Sequence, residues 1–148
     1  MNYIFILCIK CVIFYLGDNM EDCIFCKIIK GDIPSRTIYE DDIVKVFLDV
    51  GPNTDGHMLI VPKEHITDFT EVDGTLLTHI HELIKNKLKD LIYDKLGACG
   101  LKIVNNYGSE QLVKHYHVHL IPIYEDTNYG YPHADTNKLD EIFDKLTK

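Results

Sequence analysis

HYHVH, residues 115 to 119, sets His115, His117 and His119 on every second position of one short apolar stretch. Successive side chains of a strand point to opposite faces, so an extended chain here brings all three imidazoles to one face. Tyr116, Val118, Leu120 and Ile121 are good strand formers, and Pro122 limits the run. Such a face is costly unless the imidazoles have partners. A solvated face is one reading. A metal site is a second, because imidazoles at i and i+2 can reach a single ion. Phosphoryl chemistry is a third: one neutral imidazole attacks phosphorus while its neighbours donate hydrogen bonds to the oxygens. A histidine of ordinary pKa, ~6.5, is largely neutral near pH 7 and needs no prior deprotonation. A backbone carbonyl could hold its other ring nitrogen as N–H and fix the tautomer. A second constellation is CIFC, residues 23 to 26, whose CxxC spacing fits redox chemistry, a metal or two core thiols. The redox reading lacks a βαβ context.

The elements that position these groups follow from pattern. Asp22 can cap a short helix over CIFCKIIK, which Gly31 and then Pro34 bring to a stop. Residues 37 to 41 and 43 to 50 read as strands around an Asp41-Asp42 turn. GPNTDG, residues 51 to 56, is dense turn chemistry, and HMLIVP, residues 57 to 62, is the next strand. Leu76, Leu77, Ile80, Ile84, Leu88, Leu91 and Ile92 recur at helical spacing and predict one long helix ended by Gly97. Residues 101 to 105 form a fourth strand, and NYGSEQ is a polar loop before the histidine strand. Leu139, Ile142, Phe143 and Leu146 give a second amphipathic helix. The expected class is α+β: an antiparallel sheet of about five strands, one long helix and short N- and C-terminal helices, with the helices on one face. Cys99, beside Gly100 at a strand start, is expected to be buried filler.

At 148 residues the chain has the size of one ordinary domain, and 46% hydrophobic with 26% charged residues suits a soluble globular protein. A net charge of −8 argues against general affinity for nucleic acid, although a small phosphorylated ligand reads local donors instead. Five cysteines, Cys8, Cys11, Cys23, Cys26 and Cys99, form no regular disulfide framework; a reducing compartment, by default the cytoplasm, is expected. Residues 3 to 16 are almost wholly apolar, yet shorter than the ~20 residues that span a bilayer, and they lack a positive n-region. Residues 1 to 19 are therefore read as a leader or extension outside the fold, with a membrane-associating or secretory segment as the second reading, and 20 to 148 as the domain, for which no membrane partner is expected.

HYHVHLI matches the pattern of the histidine triad, or HIT, superfamily. CIFCKIIKGDIPSRTIYEDD, VFLDV, GHMLIVPKEH and IVNN resemble its nucleotide-binding, Hint-like branch in the same order, over about Met20 to Tyr124. The resemblance implies that His117 is the nucleophile, forming a covalent nucleotidyl-imidazole that water hydrolyses. It implies that His119 contacts the phosphate and the scissile bond, and that His57 is a further active-site histidine. Asp49 then matches the ribose-binding aspartate, and Phe25, Ile28, Phe47 and Val50 the apolar slot for the base. Asn105 and Gln111 match residues that orient the α-phosphate. Where relatives often carry Gly-Gln-Ser, this chain has Glu110-Gln111-Leu112, so a hydroxyl donor is absent. Cys23, Cys26, His65 and His115 match a Cys2His2 zinc set whose closed geometry makes the ion structural. The implied reaction is cleavage of purine nucleoside 5′-phosphoramidates, or related adenylated compounds, without obligatory magnesium, in a homodimer. The alternatives are a dinucleoside polyphosphate hydrolase, a nucleotide-binding regulator with vestigial catalysis, and a zinc-stabilised interaction module.

Overall fold

The structure is a computed structural model and describes residues 22–125 and 134–148. The extension over residues 1 to 19, with Cys8 and Cys11, lies outside them. Its centre is set by two strands without polar alternation: β2 (Val44–Leu48) and β3 (Met58–Pro62), the latter buried at every position. Strands apolar on both faces must be covered on both. With β1 (Thr37–Glu40), β4 (Gly100–Val104) and β5 (Val118–Ile123) they form a five-stranded sheet of order β1-β2-β3-β5-β4, antiparallel throughout. The fold class is α+β, as expected.

One face carries Val46, Leu48, Met58, Ile60, Val118 and Leu120, which pack against the long helix through Leu76, Ile80, Ile84, Leu88 and Ile92. That helix consists of α2 (Gly74–Leu83), a π-helical turn (Ile84–Leu88) and α3 (Lys89–Leu96). Asp73 caps it by accepting from Leu76 N at 2.7 Å, and Gly97, at φ +68°, closes it in a conformation that side chains resist. Leu77, expected on the apolar stripe, is instead exposed at its rim. The C-terminal helix α4 (Leu139–Thr147) adds Ile142 and Leu146 to the same core.

The opposite face carries Phe47, Leu59 and Val61, covered by α1 (Ile24–Lys30) through Phe25, Cys26 and Ile28. Helices thus lie on both faces, not one, because β2 and β3 are apolar on both. Cys23, not Asp22, takes the cap position of α1 and makes no side-chain cap bond; its sulfur faces His115 at 3.4 Å. The histidine strand is also shorter than expected. The ladder begins at Val118, paired with Ile60, so His115 and His117 precede it and only His119 lies within it. Antiparallel register would put Tyr116 opposite Pro62, which has no N–H to extend the ladder. Tyr116 N donates to Ile66 O instead, at 2.6 Å. Cys99 is exposed rather than buried.

Candidate active site and metal centre

His117 ends up 5% exposed at the wall of a cleft of about 600 Å³. Its Nδ1–H donates to the His115 carbonyl at 2.7 Å. That bond fixes the tautomer and leaves the Nε2 lone pair free, as a nucleophile requires. Asn105 Nδ2 donates to the His117 carbonyl at 2.8 Å and pins the backbone. The Phe25 ring meets the imidazole edge-on, with centroids 5.1 Å apart. Burial pushes the His117 pKa down, against the His115 carbonyl and the Asp49 carboxylate, so the ring is neutral near pH 7.

A chain of hydrogen bonds orders the neighbouring imidazoles. Asn53 N–H donates to His57 Nδ1 at 3.1 Å, so neutral His57 carries its proton on Nε2. That proton is donated to His119 Nδ1 at 3.0 Å. His119 therefore bears its own proton on Nε2, a donor at the cleft wall. The Asn106 amide lies 3.3 Å from that nitrogen and can turn its oxygen to accept. Burial lowers both pKa values; His119, also facing His117 and His57, is pushed down to about 4. Asp49, His57 and His119 bring ligand-type atoms within 4.8 Å of one another. The Asn53 N–H already occupies the Nδ1 lone pair of His57, so its Nε2 is a proton donor and not a metal ligand. Of the three, only His119, through Nε2–H, is left to donate to an anion in the cleft.

The cleft's apolar side contains Phe25, Ile28, Phe47, Val50 and Leu59, with Asp49 beside them. Four of these were named from sequence; Leu59 was not, because an apolar strand residue reads as core. Asp49 Oδ1 accepts from Gly51 N at 2.8 Å, and its other oxygen lies 3.7 Å from His57 Nε2. Two of the residues expected at the phosphate, Asn105 and Gln111, are not among those that line the cleft. Asn105 spends its amide on the backbone, and Asn106 is the asparagine that lines the cleft. Gln111 is 2% exposed and donates to Thr67 O and Val113 O at 2.7 and 3.0 Å, so it braces the loop from behind. Glu110 and Leu112, its neighbours, face the cleft. Two adjacent asparagines in IVNN were the signal for Asn106; sequence alone does not say which one turns inward.

The second constellation lies next to the first, with the Phe25 ring against both His117, at 5.1 Å between centroids, and His115, at 5.9 Å. Sulfur and nitrogen atoms of Cys23, Cys26, His65 and His115 all lie within 4.8 Å of one another. Cys23 Sγ and Cys26 Sγ are 3.4 and 3.6 Å from His115 Nδ1, and Cys26 Sγ is 3.2 Å from His65 Nδ1. A tetrahedron with zinc–sulfur bonds near ~2.3 Å and zinc–nitrogen bonds near ~2.1 Å has sulfur–nitrogen edges of about 3.6 Å. His115 Nε2 donates to Pro62 O at 2.9 Å, which turns Nδ1 to the cluster as a neutral ligand, and burial pushes its pKa down to about 4. Burial and the neighbouring Cys23 push the Cys26 thiol up to about 11, a cost that a cation among the sulfurs reverses. The donor set fits zinc.

The chain and its fold have counterparts among known proteins. The HIT domain family model matches residues 30–126. "Protein hit" of Bacillus subtilis is 41% identical over 128 residues, 82% of this chain and 88% of that one. The adenosine 5′-monophosphoramidase of Candida albicans is 35% identical over 134 residues, 84% of this chain and 88% of its own length. A zinc-bound histidine triad protein from Mycobacterium smegmatis superposes with TM-score 0.73 at 28% identity, covering 86% of this chain and 95% of that one. An HYHVH segment whose central ring is held by its own backbone, the five-stranded sheet around it and a family match over most of the chain converge: the protein belongs to the HIT domain family.

Proposed function

We propose that the protein is a nucleotide hydrolase that cleaves purine nucleoside 5′-phosphoramidates, or related adenylated compounds, at the α-phosphorus through a nucleotidyl intermediate on His117. The observation that carries this reading is the bond from His117 Nδ1–H to the His115 carbonyl, which leaves Nε2 as the free base in the cleft. His117 Nε2 attacks phosphorus, the phosphorus–nitrogen bond breaks, and the amine departs after taking up a proton. Water then attacks the same phosphorus, gives up a proton and frees the imidazole. Two inversions give net retention. His119, with its proton on Nε2, donates to a phosphate oxygen, and His57 holds that tautomer. Asn106 takes the phosphate-facing role first expected of Asn105 and Gln111. Asp49 accepts from the ribose hydroxyls, and Phe25, Ile28, Phe47 and Val50 enclose the base. The likeness to an enzyme named a monophosphoramidase supports the substrate class.

Cys23, Cys26, His65 and His115 are the residues that would hold zinc, and four protein ligands leave no open position. The bound ion supplies a cross-link between α1 and the segment before β5. Two copies are proposed to pair through the long helix and β4, the edge strand on which Ile103 is 56% exposed. Among the described residues no helix is long and apolar enough to cross a membrane. A polyphosphate leaving group is disfavoured, because Asp49, Glu110 and Asp140 line the cleft against Arg36 alone. Mass spectrometry of protein quenched during turnover should find a nucleotide adduct on His117. His117→Ala should abolish turnover and keep adenylate binding; full activity in that variant refutes the mechanism.

A further inference from the structure

The cleft lining also contains a charged pair that takes no part in the proposed reaction. Arg36 and Asp140 both line it, and Arg36 Nε–H donates to Asp140 Oδ1 at 2.7 Å. The pair joins the segment before β1 to the first turn of α4, elements 104 positions apart in sequence. The sheet register shows where the pair lies. Thr37, Phe47, Leu59 and His119 stand opposite one another across β1, β2, β3 and β5. Three strand spacings separate Thr37 from His119, about 14 Å. Arg36 precedes Thr37, and its carbonyl accepts from Leu48 N at 3.0 Å. A nucleotide with phosphorus at His117 would run along this row, with its ring system toward Leu59 and Phe47 and its outer edge toward the segment before β1 that carries Arg36.

Arg36 is suited to read that edge. Asp140 takes Nε–H, and among the described residues no other side-chain bond engages the guanidinium. The two terminal nitrogens remain as a planar fork. Asp140 is too exposed for the pair to matter to stability, but it orients the fork. Such a fork matches two adjacent acceptors, the O6 and N7 of guanine. Adenine offers N7 beside an amino donor, against which one N–H of the fork goes unpaired. Pyrimidines fall short of it. We propose that Arg36, aimed by Asp140, selects guanine over adenine, so that the preferred substrate is a guanosine 5′-phosphoramidate. This deepens the proposed function and rests on it for the placement of phosphorus.

The test compares kcat/KM for guanosine and adenosine 5′-phosphoramidates with the full-length protein. The expected ratio is about fivefold in favour of guanosine, the low end for a bidentate arginine–guanine contact because the site is open to water. Arg36→Ala should bring the ratio near one. Arg36→Lys, which keeps the charge and loses the fork, should do the same, and Asp140→Asn should leave an intermediate value. A ratio near one in the unaltered protein, or one that survives both arginine substitutions, overturns the inference. If neither phosphoramidate is turned over, the hydrolase reading fails. The Kd values of GMP and AMP by calorimetry, in the unaltered protein and in Arg36→Lys, then decide base selection alone by the same ratios.

Discussion

Gly56 links the core to the histidine pair and gives the sharpest stability prediction. It has φ +82°, and a Cβ there would clash with Leu96 Cδ1 and lie 3.4 Å from Pro122 Cγ. Gly56→Ala thus meets two penalties. The left-handed conformation costs a residue with a Cβ about 1–2 kcal/mol. Displacing Leu96 adds about 1 kcal/mol, the low end for overpacking, because the clash falls on the tip of a flexible side chain. The sum is about 2–3 kcal/mol. For a chain of 148 residues that lowers Tm by roughly 4–12 °C, at about 2–4 °C per kcal/mol. Urea unfolding at pH 7 measures it, and the two parts separate in a Leu96→Ala background. There the clash partner is gone, and the cost of Gly56→Ala should fall to the backbone share. A total below about 1 kcal/mol refutes the strain. Equal cost in both backgrounds refutes the crowding.

Acid should destabilise the fold before any carboxylate effect. Burial with the neighbouring His117 and His57 pushes His119 down to about 4, and burial lowers His57 in the same direction. The unfolded chain takes up protons first, near its ordinary value of ~6.5, so this share of stability is intact above that pH and is lost as pH falls toward about 4. The urea midpoint should be lower at pH 4.5 than at pH 7, and a flat profile contradicts the buried neutral pair. Asn105→Ala removes the bond to the His117 carbonyl and should lower kcat about tenfold with KM nearly constant, a loss of ~1.4 kcal/mol in the transition state. An effect confined to KM would count against a positioning role. Chelation should lower Tm by several degrees and added zinc restore it, since a ligand bound only by the folded chain stabilises by mass action. Native mass spectrometry with no zinc per chain, at unchanged Tm, would remove the metal from this cage.

Residue type and spacing in HYHVH and CIFC marked where chemistry could lie and left its kind open; the separate roles came from the resemblance to the histidine triad superfamily. The structure brings together the four proposed zinc ligands, although His65 and His115 are separated from the cysteines by long stretches of sequence. What the sequence leaves open depends on backbone direction. Asn105 and Asn106 are equivalent as residue types, and only the turn after β4 decides which faces inward. Gln111 was named for phosphate because it matches a family position; in the structure it is buried and donates to the carbonyls of Thr67 and Val113. The split of helices between two faces was latent in β3, whose continuous apolar run already required two covers. Arg36 and Asp140 carry no local signal, since their meeting depends on where α4 docks.

The position at 115 divides its labour between side chain and main chain: the imidazole faces the two sulfurs, while the carbonyl grips the ring at 117. Any amino acid supplies that carbonyl. Loss of both thiols, or even of the first imidazole, would therefore leave the second ring held as before, and whatever the cage binds is separable from what that ring does.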